Sequence, residues 1–350
     1  MERERRFHIR EVVKQCRQLL EADLDVELRR FGLMEDGRIL DLDKLPHLTE
    51  ADRERRLALE EAIKKEQAPG LTLQEAHRRY LQEVAFTVFN RLVGLRAFEV
   101  RGFIRETVIR RPEYGGQSLR ERDIAEANPG LSPDDVLVEA YRQGCGELSE
   151  QIALLFDLSN AYSLIPPSPR VLRDVMAALS EEISEEDWRE DEILGWIYQY
   201  WNEEAREEYK RSHKRRPDPD DIPVINQFYT PRWIVKFLVD NTLGRLWLEQ
   251  HPASAVKTLC TYLVPLAAGA RSKPREPISV RSLKLLDPAS GSAHFLLYAF
   301  DLFFQMWREE CPDIPSWWRS CSPWPTHHSL HPRSGRWRRS SRRSNDSSGR

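Results

Sequence analysis

The chain has 350 residues, 40% of them apolar and 31% charged, with a formal net charge of −3. Those proportions exclude collagen, a wholly disordered chain and a membrane bundle, and the length suits about two domains. The best apolar run, Phe295 to Phe304, is short for a bilayer span and includes Asp301.

Met1 to Phe7 is densely charged and lacks the apolar stretch of a secretory signal. Cys16, Cys145, Cys260, Cys311 and Cys321 form no Cys-x-x-Cys pair, so neither a disulfide framework nor a zinc ribbon is expected. A reduced, cytoplasmic protein without a metal site is the expectation. Residues 7–31 place Val12, Val13, Cys16, Leu20, Leu24 and Leu28 at helical spacing, which predicts one amphipathic helix. The stretch Gly32 to Leu45 breaks it, and a second, charged helix is predicted over 50–66, ended by Pro69-Gly70. Thr72-Leu-Gln-Glu75 is a capping box opening a long helix to about Phe98. Ser132-Pro133 opens another, with proline at the first helical position. Ser184-Glu-Glu-Asp187 precedes a further one carrying Ile193 to Trp201. Trp196, Tyr198, Tyr200 and Trp201 are expected in a core or an interdomain face. The arginines Arg91, Arg96, Arg101 and Arg105 are expected to be solvated or paired, with contact to DNA as the other reading.

Residues 1–210 therefore read as a mainly α domain and 211–224 as a linker. Its basic Lys210 to Arg216 stretch suits a solvated connection or a phosphate-contacting arm. Beyond it, Thr230 is placed to cap a helix with Pro231 at its first position, running toward Trp247. Val280 to Leu286 is predicted as a strand that enters Asp287-Pro-Ala-Ser-Gly-Ser-Ala-His294, and Phe295 to Trp307 as a helix.

Strand, small-residue turn and helix make up a nucleotide-binding α/β unit. The turn would deliver a ligand to unpaired N–H groups at the helix start. No lysine follows it and Asp287 precedes it, so neither the P-loop nor the Gly-x-Gly-x-x-Gly pattern is present. An acidic residue beside free N–H groups suits a ligand with both a cationic amine and a carboxylate. The spacing also suits an ordinary strand–helix connection.

Asp287-Pro288-Ala289-Ser290-Gly291-Ser292-Ala293-His294-Phe295-Leu-Leu297 resembles the cofactor motif of the amino-DNA methyltransferases. Phe228-Tyr229-Thr230-Pro231 resembles their Tyr-Thr-Pro motif, in the expected order. Asn90 to Glu99, Tyr114-Gly-Gly116 and Ile193 to Asn202 are similar to the N-terminal helical region of one subgroup, the adenine-specific methyltransferases of BREX phage-defence systems. The resemblance spans roughly residues 70 to 310. It implies a mainly α N-terminal domain and then, over 225–315, the start of a Rossmann-like S-adenosylmethionine-dependent methyltransferase domain. It implies S-adenosyl-L-methionine as cofactor, double-stranded DNA with a flipped adenine and other defence-system proteins as partners, and no membrane. Tyr229, Thr230, Pro231, Asp287, Pro288, Ala289, Ser290, Gly291, Ser292 and Phe295 are the implied cofactor-binding residues. Asp287 would hold the amine side, Gly291 and Ser292 would offer backbone to the carboxylate, and Phe295 would pack under the turn.

The sequence also departs from the family. It has no Asn/Asp-Pro-Pro-aromatic tetrapeptide, its one Pro-Pro being Pro166-Pro167, so no catalytic residue is assigned and this chain alone is expected to be inactive. Only the first of the family's seven strands is recognisable, which reads as an N-terminal portion. Ala293 stands where the family usually has glycine. Residues 316–350 follow neither strand nor helix period and are rich in Arg, Ser and Trp. They are expected to be an irregular basic tail, through a shifted reading frame, with a genuine nucleic-acid-binding tail or zinc ligation by Cys321, His327 and His331 as alternatives. The alternative function is a non-enzymatic DNA- or partner-binding module of a defence system.

Overall fold

The apolar stripe of the first helix is buried as its spacing demands. In the computed structural model, which describes residues 3–67, 71–212, 228–265, 277–288, 290–291 and 293–311, α1 runs Arg3–Arg30 and buries Ile9, Val12, Val13, Cys16, Leu20, Leu24 and Leu28. The chain divides into two units, Met1–Thr230 and Pro231–Arg350.

The first unit is helical. After α1 come α2 (Glu50–Lys65) and α3 (Leu73–Val100), each opened by a complete capping box, Thr49 with Asp52 and Thr72 with Glu75. A third box, Ser118 with Glu121, opens α4 (Leu119–Ala127). Ser132 caps α5 (Pro133–Ser149), whose first residue is the proline. The short α6 (Ala153–Phe156) and α7 (Pro169–Ala177) follow. The segment expected as one helix after Ser184 is two, α8 (Glu185–Arg189) and α9 (Ile193–Trp201). Glu190, Asp191 and Glu192 separate them. Three acidic residues oppose the negative end of one helix and suit the positive start of the next. The last helix of the unit among the described residues is α10 (Glu203–Ser212). α1 packs against both α3 and α9. The core includes Tyr80, Val84, Phe89, Leu92, Leu95, Trp188 and Ile197. Among the described residues, β-type pairing is confined to isolated bridges, Leu33 with Ile39 and Arg111 with Gln117.

The second unit is smaller. α11 (Arg232–Val239) continues through a π-helical turn, Asp240–Gly244, into α12 (Arg245–Gln250). The helix begins one residue later than expected. Pro231 is its N-cap and no side chain caps it, so Thr230 does not take that role. α13 (Val256–Leu259) and the long α14 (His294–Glu310) complete the unit. Val235, Val239, Leu243, Trp247, Val256, Cys260, Ala299, Leu302 and Met306 form its core.

The predicted strand is different in the structure. Val280–Ser282 is a 3-10 turn, and 283–287 has no regular secondary structure. A strand exists only through pairing with a neighbour, and none is present beside this segment among the described residues. Linker residues 213–224, Pro69-Gly70, Ala289, Ser292 and the tail 316–350, with Cys321, His327 and His331, lie outside the described residues.

Candidate functional site

The turn before α14 is built from unusual backbone. Gly291 has φ 51° and Ala293 has φ 60°. Ala293 is the one non-glycine residue with positive φ among the described residues. Its amide donates to the Ser290 carbonyl at 2.7 Å, closing the turn. Ala293 is also the N-cap of α14, with no side-chain cap. A helix N-terminus offers backbone amides of the kind that accept a carboxylate or phosphate. Asp287 and Ser290 are partly buried, while Pro288 and Gly291 are exposed. The turn closed by the Ala293–Ser290 bond holds Ser290 and Gly291; Asp287 and Pro288 precede it in the chain, and Phe295 lies in the first turn of α14. Phe295 packs against the core of the second unit, and its ring lies 5.2 Å from that of His294.

A left-handed alanine costs roughly 1–2 kcal/mol, a penalty glycine does not carry. Ala293→Gly is therefore expected to stabilise the second unit by about 1 kcal/mol after the greater unfolded-state entropy of glycine is deducted. Urea unfolding of the two proteins would measure it, and an unchanged or lowered midpoint would contradict the strain.

Helix α14 is tied at both ends. Near its start, Tyr298 donates its hydroxyl to Asp240 Oδ1 at 2.6 Å. Asp240 is fully buried in the π-helical turn, and its Oδ2 accepts the Tyr262 amide at 2.8 Å. Near its end, Glu309 accepts from Ser254 Oγ at 2.6 Å and the Ala255 amide at 2.9 Å. Glu310 accepts the Val280 amide at 2.9 Å. These ties fix where the helix start, and hence the turn, is presented. Burial raises the Tyr298 hydroxyl well above the usual phenol range and pushes the Cys260 thiol up to about 12, with Asp240 adding to both. Both groups therefore stay protonated at neutral pH and act as packing and donor groups, not nucleophiles.

The Phe228-Tyr229-Thr230 stretch belongs to the first unit and Pro231 to the second. Two of the sequence-predicted groups of residues therefore fall in different units. Tyr229 is held by α9. Its amide donates to Gln199 Oε1 at 2.7 Å, and its ring centroid lies 5.1 Å from that of Trp196. Trp196 and Trp201 are buried, Tyr200 is half-buried and Tyr198 is exposed.

All four arginines have partners within the chain, Arg91 and Arg96 buried, Arg101 partly buried and Arg105 exposed. Arg91 is 1% exposed and donates to the carbonyls of Leu155 and Asp157 and to Ser163 Oγ. Arg96, also buried, donates to Glu99 Oε1 at 2.9 Å. Arg101 donates to the carbonyls of Ala97 and Trp188, and Arg105 pairs with Asp123. Glu99 itself accepts the amides of Thr107, Val108 and Ile109 at 2.6, 2.8 and 2.9 Å. Burial raises its carboxyl, against the opposing pull of Arg96 and those amides. This buried carboxylate was not among the sequence-predicted residues, and its amide partners lie eight to ten positions away in a loop. Among the described residues, no group of His, Cys, Asp and Glu could hold a metal ion, and no helix is long and apolar enough to cross a membrane.

No protein-family model matches the chain. It is 28% identical over 351 residues to the adenine-specific methyltransferase PglX of Lacticaseibacillus casei (strain Zhang), covering 85% of this chain and 29% of that protein. It is 29% identical over 265 residues to the adenine-specific methyltransferase BrxX of Escherichia coli O9:H4 (strain HS), covering 67% of this chain and 22% of that protein. The chain thus matches less than a third of the length of either relative. The resemblance to BREX-type adenine-specific methyltransferases, read from short motifs, extends to similarity over most of this chain.

Proposed function

We propose that this chain is the N-terminal part of a BREX-type DNA adenine methyltransferase, with a helical domain over 1–210, a linker over 211–224 and the opening of an S-adenosylmethionine-binding, Rossmann-like domain over 225–315. The carrying observation is the 287–295 segment: small residues, left-handed backbone at Gly291 and Ala293, and a helix start without a side-chain cap that follows Asp287 in the chain. The residues fit the methionine end of that cofactor. Asp287 would hold its ammonium group, and the backbone at Gly291 and Ser292 would meet its carboxylate. Pro288, Ala289 and Ser290 shape the approach, Phe295 supports it from below, and Tyr229, Thr230 and Pro231 form the segment that closes over the cofactor. When bound, the cofactor supplies an electrophilic sulfonium methyl, and adenine N6 is the acceptor.

The adenine would have to leave the duplex to be reached. The groups that would orient its amine belong to an Asn/Asp-Pro-Pro-aromatic motif, which these 350 residues lack. Binding without turnover is therefore the function proposed for this chain, in the service of host DNA methylation and phage defence by the whole enzyme. Direct DNA reading by Arg91 and Arg96 is disfavoured, because both are buried and committed to internal acceptors.

Calorimetric titration with S-adenosylmethionine, alongside transfer of labelled methyl to adenine-containing duplex DNA, would test this. Saturable binding that is lost in Asp287→Ala, with no label in DNA, is the expected result. No binding would reject the cofactor assignment, and sustained label transfer would reject the proposed inactivity.

A further inference from the structure

The stretch Ile193 to Trp201 has no role in the cofactor turn, yet the structure gives it one. Three of its residues touch Tyr229. Gln199 accepts the Tyr229 amide at 2.7 Å, and the Trp196 ring stands 5.1 Å from the tyrosine ring at 59°. Gly195 is the third. A methyl group added there would overlap the Tyr229 ring atoms Cε2 and Cδ2. Glycine in a helix interior is otherwise unfavourable by roughly 1 kcal/mol relative to alanine. Its presence in α9 makes room for the tyrosine. Phe228 is held next to it, with the buried Arg206 guanidinium 4.8 Å over its ring and donating to the Gln199 carbonyl.

The seat itself is rigid. Ile193 and Ile197 are buried in the core of the first unit. Trp201 stacks on Phe89 at 4.5 Å, and its carbonyl accepts from Arg17 at 2.9 Å. Arg6 lies 4.7 Å over the Trp196 ring.

We infer that α9, through Gly195, Trp196 and Gln199, is the seat that positions the Phe228-Tyr229-Thr230-Pro231 segment and thereby sets the affinity for the cofactor. This rests on the proposed reading of that segment as the one that closes over S-adenosylmethionine. Holding a ligand-covering segment in place before the ligand arrives lowers the ordering cost at binding. Gly195 and Gln199 are accordingly positioning residues with no contact to the ligand.

The test compares the full chain with Gly195→Ala, Gln199→Ala and Gln199→Glu by two readouts. One is amide hydrogen exchange at 228–231. The other is calorimetric affinity for S-adenosylhomocysteine. Gly195→Ala and Gln199→Ala are expected to speed exchange at Tyr229 and weaken binding about tenfold, the effect of roughly one hydrogen bond. Gln199→Glu keeps the acceptor and should restore both. In a Tyr229→Ala background the overlap is gone, so Gly195→Ala should raise the melting temperature there and lower it in the parent. Unchanged exchange at 228–231 in both alanine variants would overturn the seat. Faster exchange with unchanged affinity would overturn its positioning role. If the parent chain binds no S-adenosylhomocysteine while exchange still responds, the cofactor reading fails and the seat is reduced to packing.

Discussion

Glu99→Ala is expected to cost the first unit about 5 kcal/mol, as much as many whole domains possess. The side chain of Glu99 is 0% exposed and that of its partner Arg96 is 2% exposed. Removing the carboxylate leaves a buried guanidinium without its counter-charge, which alone costs about 3–5 kcal/mol. It also strips the amides of Thr107, Val108 and Ile109 of their acceptor. Each buried amide left unsatisfied adds about 1–3 kcal/mol, partly relieved by local rearrangement. Urea unfolding followed by circular dichroism would reveal it. With a slope of about 1–3 kcal/mol per molar urea, the midpoint should fall by roughly 2 M. Adding Arg96→Met should recover part of the loss, because it removes the orphaned charge but leaves the amides. A midpoint within about 0.3 M of the parent would show that the loop finds other acceptors.

The features legible in the sequence were those set by near neighbours. The Thr72–Glu75 box and the Ser132 cap need only three residues each, and α1 and α3 follow from apolar spacing alone. The Ser118–Glu121 box carries the same three-residue signal and opens a short helix. What the sequence could not disclose depends on distant partners. Arg91 is buried because a loop 64 to 72 positions onward turns its carbonyls and Ser163 toward it. Tyr229 is seated on a helix 30 positions earlier, at Gln199. The segment 280–286 has an apolar composition that suits a strand, but strand pairing is a property of two segments. At the candidate turn, the residue types of 287–297 were enough to suggest the ligand class. The departure at Ala293 was visible only as a missing glycine, and its cost became clear from the left-handed backbone.

Asp240→Ala is expected to destabilise the second unit by about 4 kcal/mol and to loosen the start of α14 with it. Asp240 is fully buried and joins three parts of the unit: its own π-helical turn, the 261–264 segment through the Tyr262 amide, and α14 through the Tyr298 hydroxyl. Asn241 reinforces the same grip, donating to the Tyr262 carbonyl at 2.8 Å and accepting the Val264 amide at 2.9 Å. A π-helical turn re-aims two successive side chains at such partners, at the cost of less regular helix bonding. Tyr298→Phe removes one hydrogen bond and should cost about 1–1.5 kcal/mol. Asp240→Ala should cost more than this, since it also takes the acceptor from the part-buried Tyr262 amide and leaves the Tyr298 hydroxyl only the Leu259 carbonyl at 3.1 Å. Hydrogen exchange separates a local effect from general unfolding. Protection should fall at 261–264 and at the first turn of α14, while α1 and α3 in the first unit keep theirs. Retained protection at both places would mean that Asp240 merely fills space. Loss at both would place the anchoring of the candidate turn in a buried carboxylate 47 positions before Asp287.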